Sequence, residues 1–137
     1  MRKHEHLISF VERQKPEDDN SADVITSIVW MEENFMPGAP YFEIMWFTGC
    51  REPRPPAHTH TFEEIIGFIG SDPNYPKDLG ATVKFLIEDE WYTFTESVLI
   101  HIPAGLKHCP FVVENVERPF IHFSGGPNVK YTRTFLE

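Results

Sequence analysis

His58-Thr59-His60-Thr61-Phe62-Glu63-Glu64 is one half of the sequence that decides how this chain folds; Pro103-Ala104-Gly105-Leu106-Lys107-His108 is the other. Between them they hold three imidazoles and a carboxylate. Strand side chains alternate faces with a period of two. On a single strand, His58, His60 and Glu64 therefore point to one side, and Glu63, of opposite parity, points away. His108 must come from a second strand folded alongside. A β-barrel built this way aims four ligand-type side chains at one metal ion, with Glu64 the expected carboxylate and Glu63 its alternative.

Around these segments the chain reads as strands and turns. Asp23 to Met31 is rich in Val, Ile, Thr and Trp, which suits a pleated surface. A turn over Met36-Pro-Gly-Ala-Pro40 leads to the apolar run Tyr41 to Thr48. Gly49 to Ala57 carries Pro53, Pro55 and Pro56 and is expected as an extended loop. One strand is expected from His58 to Ile69 and a long polar loop from Gly70 to Gly80. Thr82–Ile87 and Trp91–Thr95 form a hairpin about Glu88-Asp89. Val98–Ile102, Phe111–Val113 and Phe120–Ser124 complete about eight to ten short strands, as in a sandwich or barrel. Helix signal is nearly absent. Phe62, Trp46, Phe85 and Tyr92 are expected in the core.

The 137 residues fit a single domain, 1–137, whose polar residues 1–22 read as an N-terminal arm or a strand exchanged in a dimer. Hydrophobic residues make up 41% and aromatic ones 14%, enough to build a packed core. The net charge of -9 and the scattering of Arg51, Arg54 and Lys107 argue against a nucleic-acid partner. No run approaches the roughly 18 apolar residues of a membrane span, and the start lacks a signal-peptide apolar core. Cys50 and Cys109 form no CxxC pair, so a cytoplasmic protein without a disulfide framework is expected. Cys109 should be a packed thiol, and His4 and His6 an incidental pair.

The paired motifs resemble those of the cupin superfamily, in its small single-domain, conserved-barrel form. HTHTFEE followed by Gly70 is similar to the first cupin motif, and PAGLKH to the second, PxGxxH. The resemblance covers roughly residues 40 to 125 and is specific because both motifs stand in order. It departs at the glycines: Gly49 lies far upstream of His58, and Ser97 or Glu96 stands where a glycine opens the second motif. The resemblance implies an all-β double-stranded β-helix (jelly-roll) barrel, often a homodimer, holding a metal inside.

Neutral imidazoles and a carboxylate, without thiolate, suit a divalent transition metal such as Fe, Mn, Ni or Zn, with Co and Cu also compatible. Four ligands, His58, His60, Glu64 and His108, leave two vacant positions in an octahedral sphere for a small molecule. Glu43, an acid within an apolar strand, is a candidate general base. His101, two residues before Pro103, and His122, on the last apolar strand, are candidates for moving a proton. An enzyme acting on a small-molecule substrate is expected, a dioxygenase or a metal-dependent isomerase or lyase. The alternative is a non-catalytic module binding a small molecule or metal chelate. The aromatic-rich sequence, with no Arg or Lys clearly inside a strand, points to an apolar or aromatic compound. Val24 to Trp30 would serve as an isologous dimer face.

Overall fold

The computed structural model describes residues 3–10, 23–127 and 134–136. These residues form eleven strands: β1 (Ile25–Met31), β2 (Tyr41–Phe47), β3 (Arg51–Arg54), β4 (His58–Thr59), β5 (Glu64–Ile69), β6 (Asp78–Ile87), β7 (Glu90–Glu96), β8 (Val98–Ile102), β9 (His108–Glu114), β10 (Phe120–Gly126) and β11 (Thr134–Phe135). One sheet has the order β1-β2-β10-β5-β8; the other has the order β11-β4-β9-β6-β7, with β3 also paired to β9. All pairings are antiparallel. The single helical piece among the described residues is a 3-10 turn at Glu5–Leu7, which includes His6 and leaves both His4 and His6 exposed. Ser9 Oγ ties this segment to the Trp30 carbonyl at 2.5 Å. The rest of the expected arm, residues 1–2 and 11–22, lies outside the described residues.

The core lies between the sheets. Phe47, Phe68, Phe85 and Phe120 are fully buried there with Leu79, Val83 and Val113, and each phenyl contributes on the order of 2–3 kcal/mol by leaving water. Cys109 packs in the same cluster. Trp46 instead stands half-buried on the outer face of its sheet, and Tyr92 is 42% exposed on the edge strand β7. Both depart from the expected core.

Two segments differ from the sequence expectation. The proline-rich stretch is not only loop: Arg51–Arg54 pairs with β9 along its margin, where prolines need donate no ladder hydrogen bond. The expected strand from His58 to Ile69 is also broken. Residues 60–63 carry the chain from the β4 sheet to the β5 sheet, so β4 and β5 belong to opposite layers. The hairpin turn falls on Glu88-Asp89 as expected, with Glu88 at φ 55.

The outer face of the five-stranded sheet is nearly all apolar. Phe42, Ile44, Trp46, Ile65, Leu99 and Phe123 all lie there by register. The Phe42 and Phe123 rings stack 5.6 Å apart over the backbones of Gly125 and Gly67, where a Cβ would collide with them. Solvated antiparallel faces are ordinarily polar.

Candidate metal centre

The two sequence motifs meet because one turn binds both. Pro103 to Leu106 closes a β-turn, with Leu106 N–H donating to the Pro103 carbonyl at 3.2 Å. Its third residue, Gly105, has φ +83, a conformation that a side chain would strain. Gly105 N–H donates to the His60 carbonyl at 2.9 Å and pins the first motif to the second. His108 then opens β9 directly opposite His58 on β4. A bulge follows: Phe85 faces Phe111, yet Ile87 faces His108, so one extra residue lies in β9 and Cys109 takes φ 72. That insertion puts His108 and Phe111 on the same side despite their odd spacing. Glu64, the first residue of β5, reaches the cluster from the other sheet.

The result is a tight, dry group. His58, His60, Glu64 and His108 are at most 3% exposed. One ring nitrogen from each histidine lies within 4.8 Å of the others. Glu64 Oε1 is 3.3 Å from both His60 Nε2 and His108 Nε2. Burial pushes the Glu64 carboxyl up, but the contacts of His108 and His60 outweigh it and hold the pKa at about 2. The carboxylate is therefore ionised.

The histidine tautomers show what the cluster is suited to hold. His58 Nδ1 lies 2.7 Å from the Pro56 carbonyl, and His108 Nδ1 lies 2.9 Å from the Leu106 carbonyl. A carbonyl only accepts, so each Nδ1 carries a proton. In the neutral ring, His108 Nε2 then presents a lone pair to the Glu64 oxygen. Two acceptors in contact need a cation between them, either a proton, as in an imidazolium donating to the carboxylate, or a metal ion. Backbone carbonyls holding Nδ1–H and freeing Nε2 are the usual support of metal-binding histidines. The residues fit a divalent transition metal, and all donors are N or O.

The remaining candidates fall in different places. His101 is on the outer surface, its side chain 56% exposed, 3.1 Å from the equally exposed Glu63. Expected as a candidate for moving a proton, it points away from the cluster, because Ile100 and Ile102 take the inward positions of β8. His122 is inside, 7% exposed, stacked 4.7 Å from Phe68, with Phe111 and Phe47 beside it. Its Nδ1 donates to the Gly67 carbonyl at 3.0 Å, and burial lowers its pKa from 6.5 to about 4. Glu43 is half-buried on the inner face of β2 and accepts a 3.4 Å hydrogen bond from Ser124 Oγ.

Other residues at the site were not singled out from the sequence. Tyr41 OH donates to Glu64 Oε2 at 3.1 Å and also contacts Ser124 Oγ. A tyrosine beginning an apolar strand reads as core, and only its register beside Glu64 shows its role. Phe62, expected in the core, is buried against the His60 ring at 4.8 Å, and Phe135 packs on His58 at 5.9 Å. Arg51, expected as a scattered cation, opens β3 with its guanidinium 4.3 Å from the Phe111 ring centre.

No protein-family model matches the sequence, and no curated protein matches it either. Solved structures do. A structure of oxalate oxidase superposes with a TM-score of 0.60 at 14% identity, covering 98% of this chain and 65% of that one. An oxalate oxidase in complex with glycolate gives 0.58 at 15%, covering 95% and 63%. The chain thus spans slightly under two thirds of the length of those proteins. At such identities the likeness is one of fold. The shared fold is a double-stranded β-helix, and within it lies a buried three-histidine, one-glutamate cluster that could hold a metal ion.

Proposed function

We propose that the chain is a metal-dependent enzyme acting on a small organic molecule through His58, His60, Glu64 and His108. The observation that carries this reading is the convergence of three buried imidazoles and the Glu64 carboxylate on one point of the interior. A divalent transition metal bound there would act as a Lewis acid or redox centre toward a chelating compound. The chemistry is that of a dioxygenase or of a metal-dependent isomerase or lyase. Of the candidates for moving a proton, His101 lies outside and His122 is locked among phenyl rings, which leaves Glu43 on the inner face of β2. Phe62 and Phe135 beside the ligands suit an apolar or aromatic compound. The oxalate oxidase likeness, one structure holding glycolate, adds small hydroxy and dicarboxylic acids to the compounds to try.

The same absence of His101 from the site favours a second reading, a module that binds a metal chelate without turning it over. Oxygen uptake separates the two. The protein reconstituted with iron is expected to consume oxygen with at least one aromatic or small acid substrate. Tight binding of such compounds without uptake would leave the binding module.

The acting unit is a homodimer built on the apolar outer face of the five-stranded sheet. Five strands spaced about 4.8 Å, each roughly 20 Å long, give about 1,000 Å² from two copies, near the lower bound of a specific interface. Sedimentation should give twice the chain mass; a monomer at micromolar concentration would contradict this.

A further inference from the structure

The two oxygens of Glu64 have different neighbours. Oε1 faces His60 and His108 at 3.3 Å, whereas Oε2 accepts the Tyr41 hydroxyl at 3.1 Å. Tyr41 is 3% exposed, and its hydroxyl also touches Ser124 Oγ, whose residue is 7% exposed. Ser124 Oγ in turn donates to Glu43 Oε1 at 3.4 Å. A row of polar contacts thus runs from the ligand carboxylate to a half-buried acid, with the two hydroxyl hydrogens going to the two carboxylates.

The backbone sets this row out in advance. Glu43 on β2 pairs directly with Ser124 on β10, and Tyr41 pairs with Gly126. Ser124 is also opposite Ile66 on β5, two residues beyond Glu64. The row therefore crosses three neighbouring strands on their inner face. Gly126, opposite Tyr41, adds no side chain to it; a Cβ there would press on Phe62 and the Glu63 carbonyl.

We infer that Tyr41 is a positioning residue for the metal site, holding Glu64 Oε2 so that Glu64 binds through Oε1 alone, with Ser124 packed against the Tyr41 hydroxyl. This rests on the metal-binding reading above. A carboxylate free to turn would offer both oxygens and fill a coordination position that a substrate needs. The Tyr41 hydroxyl keeps that position open, and it does so without touching the substrate. Partners of ligands held in this way typically matter for metal affinity by 10- to 100-fold.

Cobalt(II) alone, titrated into the full chain against a competing chelator, tests this, since its visible absorption reports coordination number as well as occupancy. Wild type is expected to bind one equivalent. Tyr41→Phe is expected to bind about 10- to 100-fold more weakly, with weaker visible bands as Glu64 takes the ion with both oxygens. Ser124→Ala, which keeps the ring in place, should shift the same bands in the same direction by less, and it carries the test if Tyr41→Phe does not fold. Wild-type affinity and an unchanged spectrum in the folded variants would overturn the role of Tyr41 while leaving the metal site standing. Failure of wild type to bind cobalt at all would overturn both.

Discussion

Two groups of buried histidine share this barrel, and they differ in what surrounds them. His58 and His108 are buried, and each gives its Nδ1 proton to a backbone carbonyl. His122 is also buried and gives its Nδ1 proton to the Gly67 carbonyl. Burial and a fixed tautomer therefore do not make a ligand. The first pair meets a third imidazole and an ionised carboxylate; His122 meets Phe68, Phe111 and Phe47. Convergence on a charge separates a metal site from an aromatic core that includes an imidazole.

The largest effect should come from emptying the first group. His60→Ala combined with Glu64→Ala is expected to reduce bound metal from one equivalent to none, by elemental analysis, while circular dichroism still shows a folded β protein. The apolar core of Phe47, Phe68, Phe85 and Phe120 does not depend on these side chains. Unfolding of that variant would make the cluster a structural clamp and erase the distinction drawn above.

Acid should expose the second group. The His122 pKa is about 4 in the fold and 6.5 ordinarily, so the unfolded chain binds more protons between those values. Its contribution to stability is complete above pH 6.5 and falls as the pH drops toward 4, by up to about 3 kcal/mol. Glu64, held low, adds a loss of its own only below the ordinary carboxylate range, on the way to about 2. His122→Phe should remove the loss between pH 6.5 and 4, measured by urea unfolding, and leave metal content unchanged. It forgoes the hydrogen bond to Gly67, at a cost of about 1 kcal/mol. A pH slope equal to that of wild type would mean that His122 is not the buried neutral group.

The smallest effect belongs to Glu63. Its pair with His101 is exposed on both sides, and such pairs are worth about 1 kcal/mol or less. Glu63→Ala should leave both metal content and melting temperature nearly unchanged. Loss of metal in that variant would transfer the ligand role from Glu64 to Glu63.

Most of the fold was legible in the sequence because turns and apolar runs mark the strands, and the members of the buried cluster were legible because two spaced motifs hold them. Alternation along one strand is not what brings His58, His60 and Glu64 together. These residues do not lie on one strand; the chain crosses between sheets at residues 60–63, and no local signal marks that crossing. His101 was misplaced for a related reason. Val98-Leu-Ile-His-Ile is apolar on both faces, and with Leu99 64% exposed the alternation that would orient His101 is erased. Tyr41 and Ser124 were hidden because their role lies in cross-strand register, not in spacing along the chain.

Metal stoichiometry of the chain, purified without chelators or an affinity tag, tests the central claim most directly. The account predicts one transition-metal ion per chain, or one taken up on reconstitution, and its loss in the variant lacking His60 and Glu64. No metal as purified, and none bound after incubation with iron, manganese, nickel or zinc, would contradict it.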